Sequence, residues 1–388
     1  MKIFSGVLSL LLLIFPVYGT TGEGGQSGKY VMCAFEAASA LREDEEVRFV
    51  PEDLNVTICT HLLYSYAIIG RDLDIDERYH AVDLQEDGGL GIINRTISLK
   101  EQKPGLEVFI DVRDPFGELA ETMRTENRSG TDTFAKNAVS FVKRHGFDGM
   151  NIRLSPGALE DSPMQGSEVF FSIIHEEFQR HGIKLMVIVM PEGYPRETHY
   201  NITGSISQNL DLIAVASYWV LPEQKTEITS SPRKLERVVD EMIAAGVQAE
   251  KLLVAIPAFS FSYKLCDREH TEVGVQTCGV GSEGIHIRGA SFILHSSELM
   301  RKIANTSENW SLTKDPESNM LYGDSKSLQW ASFEDNTSIR QKVAFALERN
   351  MAGVVIVNSN MEDFRGRYTG NGQGFPITRT AYNALNGH

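Results

Sequence analysis

Phe147–Ser155 reads FDGMNIRLS, and the fold is decided on how these nine residues alternate. Successive side chains of an extended segment point to opposite sides. Gly149, Asn151, Arg153 and Ser155 therefore share one face, while Met150, Ile152 and Leu154 share the other. An apolar outer face with a polar inner face is what a barrel strand needs when the barrel interior carries polar groups.

Working outward, short apolar or β-branched runs recur along the chain with helical segments between them. They are Tyr30–Phe35, His61–Ile69, Glu107–Val112, Asp148–Leu154, Lys184–Met190, Leu212–Tyr218, Leu252–Pro257 and Gly353–Asn358. Such alternation is the pattern of parallel strands joined by crossovers, and it predicts an α/β fold, a closed (β/α)8 TIM barrel. The helices have readable ends. Before the opening stretch, Phe134, Ala138, Phe141 and Val142 fall on one helical face and Gly146 offers a stop. A second helix is expected to start at Ser231-Pro232, a cap followed by proline at the first helical position, and to stop at Gly246. The longest interval between strands, Phe259 to Trp330, exceeds an ordinary loop. It predicts a small α+β insertion, at about 260–328, between strands seven and eight.

The first residues carry Lys2, an apolar run from Val7 to Phe15 and the small Gly19. That is the layout of a secretory signal over 1–19. The competing reading, a membrane anchor, needs about 20 apolar residues. Residues 20–388 are then one barrel with its insertion. Four cysteines in a secreted chain are read as two disulfides. Sequence alone allows three pairings, and position favours Cys33 with Cys59 and Cys266 with Cys278. The spacings do not resemble zinc sites, so neither metal nor cofactor is expected. Asn-x-Ser/Thr sequons begin at Asn55, Asn94, Asn127, Asn201, Asn305, Asn309 and Asn336, glycan acceptors that predict exposed loops of an extracellular protein. The formal net charge of -15, with no basic stripe to offset it, argues against nucleic acid and anionic membranes as partners.

FDGMNIRLS resembles the signature of the family 18 glycoside hydrolases, the chitinases, D-G-x-D-x-D-x-E, of which Asp148 and Gly149 remain. The resemblance extends over nearly all of residues 20–388. Pro51–Ala67 (PEDLNVTICTHLLYSYA) is similar to the family's second barrel strand, with Cys59 in its usual place, and Leu252–Phe259 (LLVAIPAF) to the seventh. Leu328–Val343 and Met351–Phe364 are similar to the run into the last helix and to the eighth strand. In the family the final glutamate protonates the glycosidic oxygen, and the aspartate before it orients the substrate's N-acetyl group, so one acid suffices. The resemblance places Ser155 at the acid position, Arg153 at the orienting position and Asn151 at an aspartate position. A serine hydroxyl is no general acid near neutral pH, and a guanidinium has no acceptor with which to steer an amide.

Other strands depart from the family as well. Asp111, Val112, Arg113 and Asp114 stand where it has S-x-G-G, and Ala216, Ser217, Tyr218 and Trp219 stand where it has M-x-Y-D. Val357 occupies the position of the tryptophan that floors the sugar site, and valine offers no aromatic face. An unpaired charge inside a barrel is costly, so Arg153 is expected to meet Asp111 on the adjacent strand, the alternative being that it snorkels to the open mouth and meets water or Asp114. The implied protein is secreted and catalytically inactive, and acts by binding. Its ligand is chitin or an N-acetylglucosamine oligosaccharide, held in part by Tyr218 and Trp219, or a protein partner in growth or immune signalling. The runner-up is a weakly active hydrolase with a relocated acid such as Glu160, which with Asp161 follows the strand. A structural or storage glycoprotein is a third reading.

Overall fold

The computed structural model describes residues 28–153, 166–190, 203–218, 224–282, 284, 292–369 and 372–388. The expected signal at 1–19 lies outside the described residues, as do Leu154, Ser155, Glu160, Asp161, Trp219 and Asn201.

Runs of Val, Ile and Leu with too few polar residues to solvate either face form strands that must be covered on both sides. They are β1 (Tyr30–Glu36), β2 (His61–Ile69), β4 (Glu107–Arg113), β5 (Gly149–Arg153), β6 (Lys184–Val189), β7 (Leu212–Val215), β8 (Leu252–Pro257) and β15 (Gly353–Val357), with a short β3 (Ile75–Glu77) antiparallel to β2. Neighbours along β1-β15-β8-β7-β6-β5-β4-β2 pair in parallel, and β1 also pairs β2, which closes the ring. This is the expected eight-stranded (β/α)8 barrel. The Leu212 strand is shorter than expected, ending at Val215 rather than Tyr218.

Helices cover the outside. Helix Arg128–His145 buries Phe134, Ala138, Phe141 and Val142 against the barrel. Asn127 Oδ1 accepts from Gly130 N at 3.0 Å to cap it. Lys143, Arg144 and His145 crowd its last turn, where positive charge favours the helix dipole. Gly146 ends it at φ 81°, a left-handed conformation that costs glycine least. The second anticipated helix spans Pro232–Ala244. Ser231 holds its N-cap position without a side-chain cap bond, so proline at the first position rather than the hydroxyl sets this start.

Between β8 and β15 the chain builds an antiparallel sheet of β9 (Phe259–Leu265), β10 (Thr277–Val280), β11 (Ile293–His295), β12 (Ser311–Lys314), β13 (Leu321–Asp324) and β14 (Gln329–Phe333), with helix Ser296–Ala304 against it. The sheet runs on to Phe333, past the expected limit near 328, because Trp330 pairs with both Tyr263 and Asp324. Its indole is fully buried, stacks on Tyr322 at 5.3 Å and donates Nε1–H to Thr271 O at 2.9 Å. Both anticipated disulfides are present, Cys33–Cys59 joining β1 to the approach to β2 and Cys266–Cys278 closing a loop of the inserted sheet.

The sequons do not all sit in loops. Asn94 lies within helix Ile92–Ser98, Asn336 opens helix Asn336–Glu348 and Asn127 is a cap. All three are exposed, along with Asn305 and Asn309, while Asn55 is half-buried.

Candidate functional site

Strands β4 and β5 run side by side with Phe109 opposite Gly149, Asp111 opposite Asn151 and Arg113 opposite Arg153. Paired residues of parallel strands face the same way, so these three pairs form three successive layers inside the barrel, from its floor toward its C-terminal mouth. In the lowest layer Phe109 fills the space that Gly149 leaves. A Cβ on Gly149 would meet the Phe109 ring at 2.4 Å, closer than any carbon can pack. Asp148 lies outside this stack. It accepts from Val108 N at 2.8 Å and from Lys100 Nζ at 2.6 Å, tying the start of β5 to its surroundings. The glycine and aspartate that open the stretch thus serve packing and strand anchoring.

The middle layer holds Asp111, which has no solvent exposure. Its Oδ1 accepts from Asn151 Nδ2 at 2.5 Å, and Ser65 of β2 donates to its Oδ2 at 3.4 Å. Asn151 is also fully buried, and its own Oδ1 has no donor among the described residues. From the upper layer two guanidiniums descend on the same carboxylate. Arg153 Nη2 lies 3.1 Å and Arg113 Nε 3.3 Å from Oδ2. The pair anticipated between Asp111 and Arg153 is therefore formed, but Asp111 is shared with Arg113.

Sharing shows in the electrostatics. Burial pushes Arg153 toward lower pKa, yet attraction to Asp111 and then to Tyr218 outweighs it, and the net shift is upward. For Arg113 burial wins, with Asp111 opposing and the neighbouring Arg153 charge adding to the downward shift. Both stay protonated, because arginine starts above 12. Arg153 keeps a quarter of its side-chain surface exposed and Arg113 a third, both toward the mouth. Tyr218 is buried beside them with its ring edge-on to Phe259. Burial pushes its phenol up to about 12, Arg153 opposing and Asp111 reinforcing, so it is neutral at physiological pH.

Sequence reasoning missed Tyr66, Arg78 and Glu36. Arg113 lies over the Tyr66 ring at 3.5 Å and Arg78 at 4.0 Å, and Arg78 also meets Glu36 at 3.3 Å. Strict alternation along β2 from Ser65 aims Tyr66 away from the interior. The register with β4 slips between Ser65 and Ala67, however, so Tyr66 is an extra residue with no partner across the ladder. Val357, at the end of β15, is buried, and its carbonyl accepts from Ala258 N at 2.6 Å. Among the described residues no group of three His, Cys, Asp or Glu side chains is placed to hold a metal ion, and no helix is long and apolar enough to cross a membrane.

A family model described as glycosyl hydrolases family 18 matches residues 31–362, which span every barrel strand but the first residue of β1. The chain belongs to glycosyl hydrolases family 18. It is 24% identical to mouse chitotriosidase-1 over 99% of its length and 82% of that protein's. To human chitinase-3-like protein 2 it is 25% identical, covering 99% of this chain and 97% of the relative. The fold superposes on catalytic domain 2 of the Group II chitinase of Ostrinia furnacalis with a TM-score of 0.82 at 22% identity, over 93% of this chain and 97% of that one. It also superposes on human YKL-39, described as a pseudo-chitinase with retained chitooligosaccharide binding properties, with a TM-score of 0.78 at 21% identity over 92% and 99%. Solved folds of this shape thus include one described as a chitinase and one described as a pseudo-chitinase.

Proposed function

We propose that this family 18 chain is a secreted, catalytically inactive chitinase-like protein that acts by binding at the mouth of its barrel. The observation that carries the reading is Arg153 clamped to Asp111 at 3.1 Å, at the position where the family resemblance calls for the aspartate that orients the substrate's N-acetyl group. A guanidinium only donates hydrogen bonds. It cannot accept the N–H of an acetamide, and substrate-assisted attack needs that acceptor. Asn151 is neutral where the signature has an aspartate, and Ser155, at the acid position, offers no proton donor of suitable pKa. The ligand is an N-acetylglucosamine oligosaccharide, as in the description of YKL-39, or a protein partner in growth or immune signalling. Secretion is supported by the two disulfides, which persist in oxidising compartments.

Incubation of the purified protein with a fluorogenic chito-oligosaccharide is expected to release no fluorophore above the buffer rate. Turnover that disappears in Glu160→Gln would overturn the reading in favour of a relocated acid. Calorimetric titration with chitotetraose then separates the two ligand classes. Saturating heat assigns the neutral sugar, and a flat trace argues against it and for another ligand, a protein partner among them.

A further inference from the structure

Among the described residues, the upper layer of the barrel sets two guanidiniums against the one carboxylate that contacts them. Asp111 is one anion between two guanidiniums, at 3.1 and 3.3 Å. The third arginine at the mouth, Arg78, already has its counter-ion in Glu36. Among the described residues Arg113 and Arg153 therefore share one contacting carboxylate, Asp111, and they sit opposite one another in the β4–β5 register. Each guanidinium carries five N–H donors. Asp111 takes Arg153 through Nε and Nη2 and Arg113 through Nε. The remaining nitrogens, Arg113 Nη1 and Nη2 and Arg153 Nη1, make no hydrogen bond among the described residues.

Two like charges held side by side in a partly desolvated mouth repel one another, and a second anion relieves that repulsion. The group that matches is planar and accepts two hydrogen bonds in a fixed fork, as a carboxylate does. The surface around it disfavours an uncharged ring. Arg113 already covers Tyr66 at 3.5 Å, so that aromatic face is occupied and a pyranose cannot stack on it. The formal net charge of -15 for the whole chain repels long polyanions, which restricts the ligand to a short one with few acidic groups.

We infer that the barrel mouth binds a saccharide bearing a carboxylate, a uronic-acid-type sugar whose carboxylate bridges Arg113 and Arg153. This rests on the proposal above that the mouth is a binding site, and it replaces a neutral oligosaccharide by an acidic one as the preferred ligand. Charge selects the ligand here where an aromatic floor would otherwise select it.

The test uses the intact secreted protein and three tetrasaccharide probes in calorimetric titrations at low and physiological salt. The probes are chitotetraose, a tetrasaccharide of alternating glucuronic acid and N-acetylglucosamine, and the methyl ester of the latter. The acidic probe is expected to bind at least about tenfold tighter than chitotetraose, with esterification removing the whole advantage, since one lost charge-assisted bidentate contact is worth roughly that factor. Arg153→Gln is expected to lose the same factor for the acidic probe and nothing for the ester. The comparison of acid with ester on the unmodified protein needs no variant to fold. Equal affinity for chitotetraose and the acidic probe would overturn this inference and leave the binding function standing. Hydrolysis of chitotetraose would overturn the binding function itself. Silence toward all three sugars with saturable binding of a glutamate-rich peptide would overturn the saccharide class.

Discussion

The two ends of this barrel solve the same electrostatic problem with different arithmetic. Glu107 and Asp111 lie on one strand, four residues apart and on the same inward face, separated by the Phe109 layer. At the lower end Glu107 meets one permanent cation, Lys184, at 2.6 Å, and the His61 ring at 3.2 Å, which itself packs against Tyr30 at 4.2 Å. The hydrogen bond from His61, then that from Lys184, outweighs burial and holds the Glu107 carboxyl down to about 2. At the upper end Asp111 meets two permanent cations. A carboxylate matched by one lysine closes an end of the barrel. A carboxylate outnumbered by arginines leaves an end unfinished, with charge to offer a ligand.

The comparison is broken or sharpened by substitutions at each end. The largest effect is expected from Asp111→Asn, which strands two adjacent guanidiniums in a desolvated site. Removing the shared partner of a buried ionic cluster costs about 3–5 kcal/mol, read as a fall in the urea midpoint at unchanged slope. A loss below about 1 kcal/mol would mean that the mouth is solvated enough to tolerate both arginines, and the contrast between the ends would fall.

Glu107→Gln is expected to cost less, about 1–2 kcal/mol near neutral pH, because a third of the Glu107 side chain is exposed and solvent screens the pair. The sign of its pH dependence follows from a folded pKa below the unfolded one. The stabilisation is fully present above about 4.5 and is lost as pH falls toward about 2. The gap between the natural protein and the variant should therefore close across that window. A gap that stays constant would remove the carboxylate's charge from the account.

Arg153→Gln should disturb stability least, by under about 1 kcal/mol, since Asp111 keeps Arg113, Asn151 and Ser65. Denaturation of this variant sharpens the comparison directly. A loss as large as that of Asp111→Asn would show the upper cluster to be a closure like the lower one rather than a site with spare charge.

Much of the barrel was legible because its strands are covered on both faces and so read as apolar runs with clear ends. Alternation along Glu107–Arg113 and Gly149–Arg153 was enough to bring Asp111 to Arg153. The sharing of Asp111 with Arg113 was harder to see, since a long side chain two residues further along the same strand can fold back or reach outward, and sequence does not choose. Tyr66 escaped because one slip of register reverses which residues of a strand point inward. Trp330 was read as part of a run into the last helix, whereas partners remote in sequence, Tyr263 and Tyr322, claim it for the inserted sheet. The sequon rule asks only for an accessible asparagine, which a helix surface such as that around Asn94 supplies as readily as a loop.

The Phe109 ring, seated where Gly149 has no side chain, acts as a bulkhead. It stands between the ionic groups of the lower end and those of the upper end, and each of the two clusters takes its partners from its own side. A barrel partitioned in this way can change its clientele at one end while the other goes on holding the staves together.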